Sequence, residues 1–411
     1  MFSACFCSPR QQKHVIMKAL LATLLIVLLF CGHTQGQRIQ RINNTTISAD
    51  SLTTRIRQLI DTAQVTGMTV SVFNKNKPVY VRAFGFADKS KSIPMDTSTI
   101  FWACSYSKAV FAYCVMKLAE RHIIDLDTPL VKYLPKPLPD YVFTKKTRGY
   151  QDIRNDKRYE SITARMCLDH TTGFPNYRGF ELDGKLHIKS DPGTLYGYSG
   201  EGLYLLQFVL EQLTGKSYET IAREEVFKPL GMDRSSYIWQ AVFNDRHCLG
   251  HDSLQHPYEF DQRTSPHAAG SLYTSITDWD RFITAMLTGE GLSSKSITEM
   301  RRPQIAVLSK KQFGNDAWVY DKTPATTTIF YGLGIGLLKT PYGIAFFKEG
   351  HSEGWGHYTI AFPDKQIAIA IMTNSDNGES IFRELLATAI GDVYTPWEWE
   401  NYIPYDRISL K

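Results

Sequence analysis

From Phe346 to Met372 the chain reads FFKEGHSEGWGHYTIAFPDKQIAIAIM, and this stretch narrows the possible folds more than any other. YTIAF and IAIAIM are short apolar, β-branched runs parted by Pro363-Asp364-Lys365, the pattern of a two-stranded hairpin. The same stretch holds GHSEG, which fits a G-x-S-x-G nucleophile elbow around Ser352. Such an elbow needs a strand before the serine, a helix directly after it, and an acid and then a histidine further along. Here a hairpin follows, and His357, on the same expected strand, is the last histidine in the chain. Ser352 is therefore expected to be a strand residue and not a nucleophile.

The N-terminus places the chain in a compartment. Residues 1–36 contain Arg10, Lys13 and Lys18, no acid, and a fourteen-residue apolar run from Ala19 to Gly32. That run is short of the roughly 20 residues a membrane span needs. With Thr34-Gln35-Gly36 after it, the segment reads as a signal peptide starting at Met17, which implies a periplasmic or secreted protein. A lipoprotein anchor on Cys31 is the competing reading, and the bulky Phe30 before it argues against that. Removing the leader takes three of the 46 basic residues and none of the 41 acidic ones, leaving a net charge of +2. A charge that small makes nucleic acid an unexpected partner. Cys104, Cys114, Cys167 and Cys248 remain, with buried free thiols the default and pairings other than Cys104 with Cys114 open.

Three short motifs follow in order. In FWACSYSKAVFAYCVMK, apolar residues recur at helical spacing after Ser105, so Ser105 and Lys108 share one face at a helix N-terminus. Free N–H groups there favour developing negative charge, which makes S-x-x-K a candidate activated nucleophile. Tyr198 lies in the Gly-rich loop of DPGTLYGYSGEG, before an amphipathic helix expected from about Gly202. In the opening stretch, Phe346–Gly350 reads as one strand carrying Lys348-Glu349-Gly350, a lysine over the site and a glycine where backbone must approach closely. Other patterns fall away. GKS at 215–217 lacks a phosphate loop's earlier glycine, and His247 with His251 lacks the glutamate of a zinc protease, so neither cofactor nor metal is expected. Asn43-Asn44-Thr45 is a glycosylation sequon, relevant only in a eukaryotic secretory pathway.

Together the motifs resemble the serine β-lactamase and penicillin-binding protein superfamily, with its S-x-x-K, Y-x-N and K-T-G in this order. TGMTVSVFNKNKPVYVRAFGFADKSKSIPMDTSTIFWACSYSK, ITARMCLDHTTGFPNY, FKPLGMDRSS and AAGSLYTSITDWDRF are similar to its class C branch, which also holds esterases and D-amino-acid peptidases. The likeness runs from about residue 55 to 390. It implies an α+β fold, an antiparallel sheet flanked by helices with an inserted, mostly helical lobe. On that basis 37–104 and 305–395 form a discontinuous sheet lobe, 105–304 the helical lobe and 396–411 a tail. Local patterns agree, with strand-like MTVSVFN and PVYVRAFGF early, helical segments over 105–290, strands again at YGLGIGLL and IAIAIMTN, and a closing helix at IFRELLATAIG.

The resemblance implies an exported serine hydrolase that forms an acyl-enzyme at Ser105 on an ester, amide or lactam. Its substrate would be a small molecule or a peptidoglycan-derived one. Tyr198 would be the preferred base, Lys108 its proton partner, and the N–H groups of Ser105 and His351, just after Gly350, the oxyanion hole. From the residues alone, burial favours a neutral Lys108 and the nearby Lys348 an ionised Tyr198, leaving the choice of base open. The alternative function is a penicillin-binding sensor, which should carry a membrane-spanning output segment, or an inactive relative, which should have lost a motif residue. Two positions depart from the family. Gly200 stands where Y-x-N has asparagine, and Glu349 replaces the threonine of K-T-G. If Glu349 faces the pocket, penicillins should be poor substrates, and neutral esters or substrates with a free amine better ones. The competing possibility is that Glu349 points to solvent or simply neutralises Lys348.

Overall fold

The computed structural model describes residues 1, 37–143 and 149–407. The leader, the Cys31 alternative and residues 408–411 of the tail lie outside the described residues. The chain divides into two units, Met1–Arg38 and Ile39–Lys411. All elements numbered below belong to the second.

Beyond a small pair of strands at Arg38–Gln40 and Thr46–Ser48, the strands are β1 (Gly67–Asn74), β2 (Lys77–Asp88), β3 (Ile93–Pro94), β4 (Phe101–Trp102), β5 (Tyr273–Thr274), β6 (Ile305–Ala306), β7 (Ile329–Tyr331), β8 (Gly336–Thr340), β9 (Gly343–Ser352), β10 (Trp355–Phe362) and β11 (Ile367–Thr373). The longer helices are α1 (Ala49–Ala63), α2 (Tyr106–Glu120), α3 (Gly200–Thr214), α4 (Ile276–Thr288) and α5 (Phe382–Ala389). Nine strands form one sheet in the order β3-β2-β1-β11-β10-β9-β8-β7-β6. Every pairing is antiparallel. Strands β4 and β5 pair separately. The expected hairpin is β10–β11, turning through Pro363–Lys365, and what comes directly after Ser352 is strand β10 rather than a helix.

Both ends of the chain meet where Val70 of β1 pairs with Ile371 of β11. Covered on both faces, β11 is buried at every residue, which is why IAIAIMT reads as a continuous apolar run rather than a polar–apolar alternation. Its two faces still differ. Ile367, Ile369 and Ile371 join the core under α1 and α5, with Leu52, Ile56, Leu385 and Leu386. Ala368, Ala370 and Met372 face the opposite core, which contains Val110 of α2 and Trp279 of α4. The small alanines let those helices approach the sheet closely.

Helix α2 is buried at every position from Tyr106 to Met116, including Ser107 and Lys108. Buried on all sides, it lacks the polar stripe of a surface helix. The strand expected over YGLGIGLL is instead two strands, β7 and β8, with a turn between them. At Gly334 the turn has φ +76, and a Cβ there would lie 2.3 Å from the Ala112 side chain and 2.9 Å from the Lys108 carbonyl. The chain must reverse there to pack directly on α2. The region expected to be helical over 105–290 also holds a long irregular stretch. Residues 169–199 contain neither α-helix nor strand, and α3 starts at Gly200 with Ser199 as its N-cap. Cys104, Cys114, Cys167 and Cys248 are buried free thiols.

Candidate active site

Ser105 is the N-cap residue of α2, and its side chain makes no capping bond. The hydroxyl is therefore not held by the helix N–H groups, and Lys108 Nζ lies 2.9 Å from Ser105 Oγ, the contact that three-residue helical spacing provides. Just before the serine, Cys104 sits at φ +48, a strained conformation for a residue with a side chain that sets the angle at which the chain enters the helix. Lys108 Nζ also donates to the Ala269 carbonyl at 2.6 Å. With no exposed surface, Lys108 is driven well below the usual lysine range, first by burial and then by Lys348. Its neutral form can accept a proton.

The Gly-rich loop before α3 brings in Tyr198. Its ring centroid is 4.8 Å from Lys108 Nζ and 5.3 Å from Lys348 Nζ, and Lys348 donates to its hydroxyl at 3.4 Å. The expectation of an ionised Tyr198 fails. Burial, then the negative charge of Glu349, push its phenol well above the ordinary range. The charge of Lys348 is engaged elsewhere, because Glu349 Oε1 lies 2.7 Å from its Nζ. Burial also pulls Lys348 down from its ordinary value, against the opposing effect of Glu349.

Neighbouring residues on a strand face opposite sides, and the backbone of β9 obeys that rule. Lys348 pairs with Thr359, which bonds Tyr106 of α2, while Glu349 pairs with Tyr358 of the other core. The long lysine side chain nevertheless curls back to meet its neighbour. Of the possibilities for Glu349, pointing into solvent is ruled out, since it is 7% exposed. It both neutralises Lys348 and lines the cavity that holds Ser105.

Pairing between β8 and β9 stops at Phe347, so beyond that point one backbone edge of β9 is left for α2. A Cβ at Gly350 would stand 2.9 Å from the Ala103 carbonyl and 3.4 Å from the Ser105 nitrogen. Only glycine lets the strand come this close to the serine. His351 follows directly, with Nδ1 2.9 Å from Glu379 Oε1, a contact that raises its pKa. Ser352 ends the strand. His357 donates from Nε2 to the Trp102 carbonyl, and burial lowers its pKa to about 4. His251 Nδ1 bonds the Asn374 carbonyl and its Nε2 accepts from Lys89 N, while His247 bonds loop carbonyls. Among the described residues no cluster of metal-binding side chains occurs.

Gly200, at the start of α3, has no room for a side chain. A Cβ there would lie 2.5 Å from the Tyr177 ring and 3.0 Å from the Asn176 carbonyl. The Asn176 carbonyl and Oδ1 both accept from Gly200 N, at 2.9 and 3.2 Å. The irregular segment 175–177 thus fills the space an asparagine at 200 would occupy. Around Ser105 a cavity of about 1220 Å³ opens, lined by Asn176, Arg263, Gln312, Phe313 and Trp318 as well as Ser105, Tyr198, Glu349 and His351. The Arg263 guanidinium lies 3.8 Å over the Trp102 ring. Sequence reading misses these five because they sit in irregular segments without hydrophobic period.

A model of the Beta-lactamase family matches residues 52–391. Penicillin-binding protein 4* of Bacillus subtilis is 22% identical over 339 residues, covering 76% of this chain and 68% of that protein. Teichoic acid D-alanine hydrolase of Staphylococcus aureus is 25% identical over 259 residues, 60% of each chain. Against some curated relatives the chain therefore spans only 58% to 60% of their length. Among solved structures, the octameric penicillin-binding protein homologue from Pyrococcus abyssi superimposes with a TM-score of 0.66 at 21% identity, over 86% of this chain and 80% of that one. No helix among the described residues is long and apolar enough to cross a membrane.

Proposed function

This chain belongs to the Beta-lactamase family, and we propose that within it the protein is an exported serine hydrolase. Ser105 is its nucleophile, Lys108 the base, and esters or amides other than penicillins its substrates. One observation carries the reading: a fully buried lysine, held toward its neutral form, 2.9 Å from an uncapped serine hydroxyl at a helix N-terminus. An alcohol attacks a carbonyl only when a neighbour takes its proton. Neutral Lys108 accepts the Ser105 proton as Oγ bonds to the carbonyl carbon. The N–H groups of Ser105 and His351 receive the negative oxygen, each such donor being worth about 2.7 to 4 kcal/mol in the transition state. Tyr198, neutral and bonded to Lys348, hands a proton to the leaving group and recovers one from Lys108. Water then repeats the sequence on the acyl-enzyme, releasing the acid and restoring Ser105.

Glu349 supports the choice of substrate, since it occupies Lys348, the cation that would otherwise hold a substrate carboxylate. The teichoic acid D-alanine hydrolase among the relatives is consistent with a D-aminoacyl substrate of cell-envelope origin. The test is covalent labelling. Ser105→Ala should abolish the fluorophosphonate adduct and Ser352→Ala should keep it. Labelling that vanishes with Ser352 and survives without Ser105 would reverse the assignment. Adduct lifetime by mass spectrometry separates a hydrolase from a penicillin-trapping sensor, which would hold a penicillin adduct for hours.

A further inference from the structure

We infer that Glu349 and Gln312 form a recognition site for an ammonium group on the substrate. The inference rests on the acyl-transfer reading of Ser105 and specifies what that site accepts. Gln312 is 2% exposed, and both side chains line the Ser105 cavity. The donors nearby converge on one oxygen, with Lys348 Nζ at 2.7 Å and Gln312 Nε2 at 2.9 Å from Glu349 Oε1. The second carboxylate oxygen, Glu349 Oε2, is buried without a partner, and so is Gln312 Oε1. Amide orientation is fixed here by chemistry, because turning Gln312 over would set its carbonyl oxygen against the carboxylate.

The pair thus offers two acceptors, one of them charged. Buried acceptors left unpaired are costly, and few ligand groups can satisfy this set. A carboxylate is repelled by Glu349, which already matches the charge of Lys348. A hydroxyl brings one proton and no charge. A protonated primary amine brings three N–H donors and the charge that complements the carboxylate. The amine can sit on the acyl side of the scissile bond or on the leaving group.

Two matched pairs of esters distinguish these sources: alanine methyl ester against N-acetylalanine methyl ester, and 4-aminobutyl acetate against butyl acetate. In one pair the ammonium-bearing ester should be preferred in kcat/KM by at least about tenfold. In Gln312→Met and in Glu349→Gln the preference should collapse, with fluorophosphonate labelling of Ser105 as the check that the site still folds. Gln312→Asn, which keeps the amide but shortens its reach, replaces the methionine variant if that one is not labelled. Equal rates within both pairs, with the neutral esters turned over, would overturn the inference and leave the serine hydrolase intact. A preference that survives both substitutions would overturn it too. No turnover of any ester and no adduct would remove both.

Discussion

Replacing Glu349 with threonine should convert a site that rejects carboxylates into one that binds them. In the native protein Glu349 Oε1 is 2.7 Å from Lys348 Nζ, and the two side chains are 9% and 2% exposed. A substrate carboxylate reaching Lys348 from the cavity would stand about 4 Å from Glu349, and at an effective dielectric near 20 that repulsion is roughly 4 kcal/mol. Not all of it is recoverable. Without Glu349, Lys348 loses the group that opposes the effect of burial, so its pKa drops further and the incoming carboxylate must first hold it protonated. The net gain should be at least about 1.4 kcal/mol, a tenfold selective rise in kcat/KM for a penicillin over a neutral ester. The sign of the pH dependence follows. The gain is largest at low pH, where Lys348 still carries its proton, and shrinks as pH rises through its depressed pKa. The assay is kcat/KM for a penicillin and a neutral ester, measured in parallel for both proteins across pH. Rapid penicillin turnover by the wild type, or an unchanged ratio in the variant, would refute the electrostatic exclusion.

Tyr198→Phe removes only the hydroxyl that Lys348 bonds; a proton-transfer role predicts a loss of about 10² to 10⁴ in kcat, and turnover within a few-fold of wild type would leave it a packing residue. Activity should fall as pH drops through the depressed Lys108 pKa, and Lys108→Arg, charged at every accessible pH, should be inactive throughout a profile from pH 5 to 10. Gly200→Asn should not restore a penicillin contact, because its Cβ would strike the Tyr177 ring at 2.5 Å; overpacking of this kind lowers stability by about 1 to 3 kcal/mol, readable as a fall in Tm, and an unchanged Tm would show that Tyr177 yields freely. Asp280, on α4 and 4% exposed, has its carboxyl pushed up to about 8 by burial. The folded state therefore keeps a proton that the unfolded chain releases, so stability is lost as pH rises from about 4 to about 8. Asp280→Asn should flatten that part of the Tm profile, whereas parallel profiles would exclude the effect.

Some of this protein was legible one segment at a time. The hairpin at β10–β11 shows in two β-branched runs around Pro363, because strand pattern and turn chemistry are local properties. That hairpin, together with the lack of any histidine after His357, is what argues against Ser352 as a nucleophile. The contact between Ser105 and Lys108 is equally local, since residues three apart on a helix must be neighbours. Tyr198 and Lys348 were nominated by resemblance only, because nothing in either segment points to the other.

Tertiary structure alone decided how these residues meet and in which direction their proton affinities shift. Tyr198 and Lys348 are 150 residues apart in sequence and in contact in the fold. The sequence suggested an ionised tyrosine beside a cation. In the fold that cation is matched by its own neighbour, Glu349, and burial raises the phenol instead. Alternation along β9 describes its backbone correctly but not where a four-carbon side chain ends. Gln312 and Asn176 had no sequence signal, since irregular segments carry no period to read. The underlying reason is that a protonation state depends on how much water and which charges surround a group. Those surroundings come from chain segments that only folding brings together.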